Sequence, residues 1–215
     1  RKISMYQNLL FDWSGTLVND LPPTLFATNA VLRKHNVPEM DLEEFRKRFR
    51  LPYPEFYDEV LPGVAIDSLE GIFRSSFSNS PVQVTVLPHA REMMEWCTAQ
   101  KIRCFVLSSM DSSIFAHQSR ELKMDHFFEE IYSGVIDKRD RIGEILTTHG
   151  LALENTAFVG DMVHDIETAH HGEIASVAVT TGYDPEARLR KAEPKHLFHD
   201  LTAFREWLEG NPSQT

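Results

Sequence analysis

The sequence predicts an α/β fold with a Rossmann-like parallel-sheet core and an inserted α-helical cap domain. Two observations carry this prediction. Short apolar runs alternate with helical patterns from residue 88 onward, which is typical of βαβ units and a parallel sheet. Residues 20–86 have helical patterns only. We therefore expect an α/β core formed by 1–17 and 87–215, and a helical cap formed by 18–86.

Short apolar runs are predicted to form the strands of the core. Buried parallel strands are covered on both faces, so they read as continuous apolar runs rather than as alternating ones. The first strand is 7–11, and the next clear one lies much later, at 102–107. The others are 131–132, 156–159, 176–179 and a weaker run at 196–198.

Helical patterns connect these strands. In 88–100, apolar residues recur at spacings of three and four, as on one face of a helix. Segments 112–122 and 141–149 show similar patterns, and a short helix at 165–171 is expected to close at Gly172. The cap is expected to contain four helices punctuated by prolines, at 24–35, 41–50, 53–60 and 65–78.

Composition restricts the partners of the chain. Its 215 residues include 22 basic and 32 acidic ones, for a net charge of −10. This balance argues against binding to nucleic acid or to an anionic membrane surface, both of which need a basic patch. The sequence has no apolar run of membrane-spanning length and its first residues do not resemble a signal peptide. We therefore expect a cytoplasmic protein, either a monomer or a homodimer, with Cys97 and Cys104 as reduced core thiols.

Polar residues follow several of the predicted strands. Asp12 follows the first strand, Ser108 the second, and Asp161 the strand at 156–159, with Asp165 four residues further on. Lys138 lies after the run at 131–132. Ligands of open parallel sheets bind at the carboxyl ends of the strands, so these side chains are candidates for one shared site.

These stretches, in this order, resemble the motifs of haloacid dehalogenase-like hydrolases. The first motif is the run DWSGTLV that begins at Asp12, the second is Ser108, the third is Lys138, and the fourth is the run VGDMVHDIETA at 159–169. The resemblance covers nearly the whole chain and is closest to the phosphoglycolate phosphatase-like branch, which has a small helical (C1) cap. It implies a Mg²⁺-dependent phosphatase that acts on a small phosphorylated metabolite.

The resemblance also implies a metal site and a nucleophile. Asp12 would attack phosphorus and form an aspartyl-phosphate, which divides one difficult step into two easier ones. Attack by an anion on a dianion requires charge neutralisation, which Mg²⁺ supplies. The expected ligands are Asp12, the backbone carbonyl of Ser14, Asp161 and Asp165, of which the last two lie one helical turn apart.

Further residues are expected to bind the phosphoryl group. Ser108, with backbone amides near Ser109, would donate hydrogen bonds to its oxygens, and Lys138 would offset its charge. Trp13 and Thr16, which flank the nucleophile, are included among the predicted substrate-binding residues. Trp13 is equally compatible with core packing.

Ser14 departs from the family pattern, because typical family phosphatases carry an acid–base Asp at this position. That role contributes about 10²–10⁴-fold to a rate, and an unassisted hydroxyl is too weak an acid to perform it. Ser14 remains among the predicted catalytic residues, with four explanations open. Another group such as His164 or a cap side chain supplies the proton, or the leaving group needs none. Alternatively, Lys34 or Lys47 forms a Schiff base for cleavage of phosphonoacetaldehyde, or the chain is a weakly active or non-catalytic relative that binds phosphorylated ligands.

Overall fold

The computed structural model describes residues 5–210, so the ends of the predicted core range, 1–4 and 211–215, lie outside the described residues. Eight strands are present in this part of the chain. They are β1 (Asn8–Phe11), β2 (Val18–Asn19), β3 (Thr85–Val86), β4 (Arg103–Leu107), β5 (Glu130–Tyr132), β6 (Thr156–Gly160), β7 (Ala175–Val179) and β8 (His196–Phe198).

Six of these strands form a parallel sheet in the order β5–β4–β1–β6–β7–β8. Strand β1 lies in its middle, with Leu10 paired to Phe105 of β4 on one side and to Phe158 of β6 on the other. Because β1 is fully buried, its four residues have no polar exposed face. The sheet confirms the predicted α/β class with a parallel core.

Ten α-helices are described between and after the strands. They are α1 (Leu21–Lys34), α2 (Leu42–Arg48), α3 (Tyr53–Val60), α4 (Ile66–Ser78), α5 (Ala90–Gln100), α6 (Ser112–Glu121), α7 (Arg139–Thr148), α8 (Val163–His171), α9 (Glu186–Lys191) and α10 (Leu201–Leu208). Helices α1 to α8 lie within a few residues of the predicted bounds, whereas α9 and α10 were not predicted.

Helices cover both faces of the sheet. Alternate residues of a strand point to opposite faces, so β1 contributes to two apolar layers. Leu9 and Phe11 pack in a layer with Met93 and Met94 of α5. Leu10 packs in the opposite layer, together with residues of α7 such as Ile142. This double cover explains why the core strands have continuous apolar sequences.

Helices α1 to α4 lie between β2 and β3, which form a small antiparallel ribbon that was not predicted. Val18 pairs with Val86 and Asn19 with Thr85, so the chain leaves and re-enters the core side by side. Residues 18–86 are called the cap segment below. The predicted division of the chain into a core domain (1–17 and 87–215) and a cap domain (18–86) stays a prediction.

The cap segment shares an apolar cluster with the core. Phe45 of α2, Phe56 of α3 and Leu69 of α4 belong to one buried cluster that also contains Met162 and Tyr183. Met162 immediately precedes α8 and Tyr183 follows β7, so both come from the carboxyl end of the sheet. The cap segment therefore packs over the edge where ligands of such sheets bind.

Both cysteines are buried free thiols, which agrees with the expectation of core thiols. Within residues 5–210, the helices lack the length or the apolar character needed to cross a membrane. A cytoplasmic location and the choice between monomer and homodimer stay predictions.

Candidate active site

Three adjacent strands deliver the central polar residues of the site. Asp12 follows β1, Ser108 follows β4 and Asp161 follows β6. Since β1 lies between β4 and β6, their carboxyl ends form one edge. Asp165 reaches the same place from the first turn of α8. Carboxylate oxygens of Asp12, Asp161 and Asp165 lie within 4.8 Å of one another, and all three residues are buried.

Lys138 connects two of these carboxylates. It immediately precedes α7, and its Nζ lies 2.7 Å from Asp12 Oδ1 and 2.7 Å from Asp165 Oδ1. The Lys138 side chain is completely buried. Burial alone would lower the pKa of Lys138, but the charges and hydrogen bonds of the two carboxylates outweigh it and hold that pKa above its ordinary value. Lys138 is therefore a fixed cation within the site.

One ammonium group does not balance three buried carboxylates. Burial raises the pKa of Asp12 to about 7, with Asp165 adding to the increase and Lys138 opposing it. Burial, and then the charges of Asp12 and Asp165, raise the pKa of Asp161 well above its usual value. The cluster therefore has an excess of negative charge that a divalent cation would neutralise. Its buried carboxylate donors are the ligand type that Mg²⁺ prefers, so the residues fit this ion.

Hydrogen bonds fix the carboxylates of this cluster. Asp161 accepts one from Thr16 Oγ1 (2.8 Å) and another from the backbone N–H of Tyr183 (2.7 Å). Asp165 Oδ2 accepts from the backbone N–H groups of Asp161 (3.1 Å) and Met162 (3.0 Å). The site is therefore preorganised by its own turn and by two neighbouring loops.

Two glycines make room for Asp161. A Cβ at Gly15 would lie 2.4 Å from Asp161 Oδ2, and a Cβ at Gly182 would lie 2.0 Å from the same atom. Gly15 also has φ +76°, a backbone conformation that favours glycine. The two loops can approach Asp161 from both sides only because neither has a side chain at these positions.

The hydroxyl of Ser14 has a partner that the sequence did not reveal. Ser14 Oγ donates a hydrogen bond to Asp20 Oδ2 (2.5 Å), and Tyr183 donates one to Asp20 Oδ1 (2.9 Å). Asp20 is fully buried, and burial raises its pKa to about 6, although these hydrogen bonds oppose the increase. Among the described residues, no Lys, Arg or His forms an ion pair with it. A carboxyl group therefore lies one hydrogen bond behind Ser14.

Sequence reasoning missed Asp20 and Tyr183 for different reasons. Asp20 immediately precedes α1, where an Asp usually caps the helix, but its side chain makes no such bond. The only signal for Asp20 in the nearby sequence is its position between a strand and a helix that has two prolines in its first turn. Tyr183 is more than 160 positions away along the chain, and its contacts depend on how the loop after β7 meets the cap segment.

Two predicted substrate-binding residues face elsewhere. The Trp13 side chain is completely buried, packs against Phe115 and donates its indole N–H to Gln118 Oε1 (2.9 Å). Since adjacent residues of an extended segment point in opposite directions, the chain that directs Asp12 to the site directs Trp13 into the core. Thr16 is also fully buried and holds Asp161, so it positions a carboxylate instead of contacting substrate.

Two of the explanations for Ser14 named specific residues: His164 as a proton donor, and Lys34 or Lys47 as a Schiff-base lysine. The positions of these residues support neither explanation. His164 Nε2 accepts the backbone N–H of Lys138 (3.1 Å), and burial, followed by the charge of Lys138, lowers its pKa to about 4. It therefore lies behind Lys138 as a neutral group. Lys34 is exposed at the end of α1, and Lys47 pairs with Glu43 at the surface.

A cavity of about 360 Å³ lies between this edge of the sheet and the cap segment. Its core wall includes Asp12, Ser14, Ser108 and Ser109. Ser108 Oγ accepts the backbone N–H of Met110 (3.1 Å), so its own hydroxyl hydrogen is free to donate elsewhere. This arrangement can hold an anion against Asp12, next to Lys138 and the cluster of buried carboxylates.

Comparison with known proteins places this site in context. The family model described as haloacid dehalogenase-like hydrolase matches residues 9–179. A 5′-nucleotidase of Pseudomonas aeruginosa is 25% identical, over 96% of this chain and 97% of its own. A phosphoglycolate phosphatase of Pseudomonas syringae pv. tomato is 22% identical, over 90% and 76%. A solved structure of a haloacid dehalogenase-like hydrolase from Streptococcus pneumoniae has a TM-score of 0.81, with 22% identity over 94% and 98%.

The packing of Gly182 against Asp161 generates a prediction about metal affinity. Gly182→Ala is expected to displace Asp161, because the new Cβ overlaps its carboxylate and the backbone of Gly15. We expect this to weaken Mg²⁺ binding at least tenfold, measured as the Mg²⁺ concentration that half-saturates the increase in Tm.

Gly143→Ala is the matched control. Gly143 is an exposed residue of α7 with no atom within 4 Å of an added Cβ. Replacing it should stabilise the helix by up to about 1 kcal/mol and leave Mg²⁺ binding unchanged. Equal Mg²⁺ affinity in the two variants would contradict the assigned role of Gly182.

Proposed function

The chain belongs to the haloacid dehalogenase-like hydrolase family, and on that premise we propose that it is a Mg²⁺-dependent phosphatase of small phosphorylated metabolites that uses Asp12 as nucleophile. The observation that carries this proposal is the buried cluster of Asp12, Lys138, Asp165 and Asp161 at the base of a cavity. Phosphatase and nucleotidase activities are also the names given to the curated relatives.

Each residue of the cluster has a role in this mechanism. The Asp12 carboxylate attacks phosphorus, the P–O bond to the leaving group breaks, and an aspartyl-phosphate forms. Water then attacks phosphorus, which releases phosphate and regenerates Asp12. Lys138 favours the ionised form of Asp12 and orients it, while Ser108 and the backbone near Ser109 hold the phosphoryl oxygens. Asp12, Asp161, Asp165 and the Ser14 carbonyl would hold Mg²⁺, which would supply charge neutralisation.

The Ser14–Asp20 pair is suited to transfer the leaving-group proton. In the first step Asp20 begins protonated, which its raised pKa favours, and its hydrogen bond with Ser14 reverses, so that Ser14 gives its proton to the departing oxygen and receives one from Asp20. In the second step the attacking water gives a proton to Ser14, which returns one to Asp20. The short contact between the two side chains supports this exchange, and Asp20 itself does not line the cavity. The pair thus takes the place of a single carboxyl at position 14.

The rival functions lack a comparable observation. Cleavage of phosphonoacetaldehyde needs a lysine that reaches the substrate, and neither Lys34 nor Lys47 lines the cavity. A non-catalytic ligand-binding protein would have no need for a buried cluster of one lysine and three carboxylates, because the charged forms of these carboxylates are costly to bury.

The nucleophile is tested by Asp12→Asn. We expect the variant to lose hydrolysis of a phosphate-ester panel to background in the presence of Mg²⁺, and to form no acid-stable phosphoenzyme. Asp58→Asn, an exposed residue of α3 outside the cavity, serves as control and should keep wild-type activity. Hydrolysis that survives in Asp12→Asn would overturn the proposed mechanism, as would wild-type activity that persists after Mg²⁺ is removed with EDTA.

The role of Ser14 and Asp20 is tested by the leaving group. Asp20→Asn and Ser14→Ala should each lower kcat/KM for an alkyl phosphate, which reports formation of the phosphoenzyme, by about 10²–10⁴-fold, the usual contribution of general acid–base catalysis. The loss should be much smaller for p-nitrophenyl phosphate, whose leaving group departs without protonation. An equal loss for both esters would show that Asp20 only supports the fold, and the thermal stability of each variant is measured alongside.

A further inference from the structure

The cavity has two chemically different ends. Near Asp12 its wall is formed by polar groups that suit a phosphoryl oxyanion, including Ser108 and Ser109. The part of the cavity lined by the cap segment, called the cap end below, is mainly apolar and aromatic. Its apolar and aromatic side chains are Phe49, Leu51, Tyr53, Tyr57, Ile66, Leu69 and Phe73, and Met110, Ile136 and Met162 of the core also line the cavity.

The aromatic side chains leave part of their surface open to the cavity. Phe49, Tyr53 and Phe73 are each only partly buried and line the cavity next to the site. Half-buried apolar surface of this kind gains free energy when a ligand covers it, at roughly 25 cal/mol per Å². Aromatic walls in particular favour a ring in stacked or edge-on contact. The leaving group is therefore expected to bring apolar surface into this end of the cavity.

The charges at this end argue against an anionic leaving group. Arg74 of α4 is the only cationic side chain among the described residues that line the cavity, and its Nη2 lies 3.2 Å from Asp111 Oδ2. Glu70, one turn earlier, also lines the cavity and accepts a hydrogen bond from Tyr53 Oη (2.6 Å). Two carboxylates and one guanidinium leave this end with a net negative charge, which disfavours a substrate carboxylate.

Other arginines of the cap segment do not change this balance. Arg48 and Arg50 both pair with Glu59 on the outside of the segment. Arg46 donates to the backbone carbonyl of Gly182 (3.2 Å). None of the three lines the cavity.

We propose that the substrate is a phosphomonoester whose alcohol part is uncharged and carries a flat ring, with an N–H or O–H group that donates to Glu70. A nucleoside 5′-monophosphate has this chemistry, whereas phosphoglycolate, with a short carboxylate, does not. The inference rests on the proposed phosphatase function, because it assumes that the phosphoryl group lies against Asp12. A cavity of about 360 Å³ is near the lower end of the usual range for small-molecule sites, so a single-ring group is favoured.

A substrate comparison tests the proposal. With Mg²⁺ present, kcat/KM is measured for uridine 5′-monophosphate, 2-phenylethyl phosphate, ethyl phosphate and phosphoglycolate. We expect the two ring-bearing esters to exceed both others by at least tenfold. If phosphoglycolate or ethyl phosphate equals or exceeds them, the substrate inference is wrong and the phosphatase function stands. If the enzyme hydrolyses none of the esters, the proposed function is overturned and the inference falls with it.

Reversing the charge at position 70 tests whether Glu70 contributes to substrate recognition or only to folding. Glu70→Lys places a cation at the cap end, so the ratio of kcat/KM for phosphoglycolate to that for uridine 5′-monophosphate should increase at least tenfold. Asp58→Lys makes the same change in charge at an exposed residue outside the cavity and should leave this ratio unaltered. A similar ratio in both variants and in the wild type would overturn the assignment of Glu70 to the leaving group.

Discussion

The buried ammonium of Lys138 is the interaction on which the site depends. It links Asp12, at the end of the central strand, to Asp165, at the start of α8, through two contacts of 2.7 Å. Without Lys138, three carboxylates would lie buried together with no positive charge beside them, and ionising them would destabilise the folded state. Lys138 compensates only part of this negative charge, so the cluster keeps the net negative charge that suits a divalent cation. Its contact with Asp12 also holds that carboxylate at the wall of the cavity.

The core and the cap segment contribute different parts of the chemistry. Strand ends of the core carry the groups to which the proposed mechanism assigns reaction with and binding of a phosphoryl group, and their positions follow from the parallel sheet. Helices α3 and α4 and the loop before them supply most of the apolar wall and the carboxylate of Glu70. In the proposed function, reaction and substrate selection are therefore carried out by different residues of one cavity, so residues of the cap segment can vary without changing the reacting groups.

Much of this arrangement could be predicted from the sequence because its signals are local. Continuous apolar runs indicated the six core strands, and polar residues directly after them indicated Asp12, Ser108 and Asp161. Lys138 required the order of the motifs as well, because the residue lies in an unremarkable charged stretch. Trp13 was assigned to two environments, and only the direction of its side chain decides between them. Asp20 and Tyr183 meet across more than 160 residues, and no local pattern encodes such a contact.

The contact between Ser14 and Asp20 has a consequence for how this site can change over generations. An Asp at position 14 would bring a second carboxylate against the buried one at position 20, where like charges repel and no cation is at hand. A lone return to the sequence of ordinary family phosphatases is therefore unfavourable. The two positions are expected to change as a pair, so that relatives with Ser14 retain an acid near position 20 and relatives with Asp at 14 have none there. In the proposed mechanism, the carboxyl group that supplies the proton therefore lies at position 20 instead of position 14.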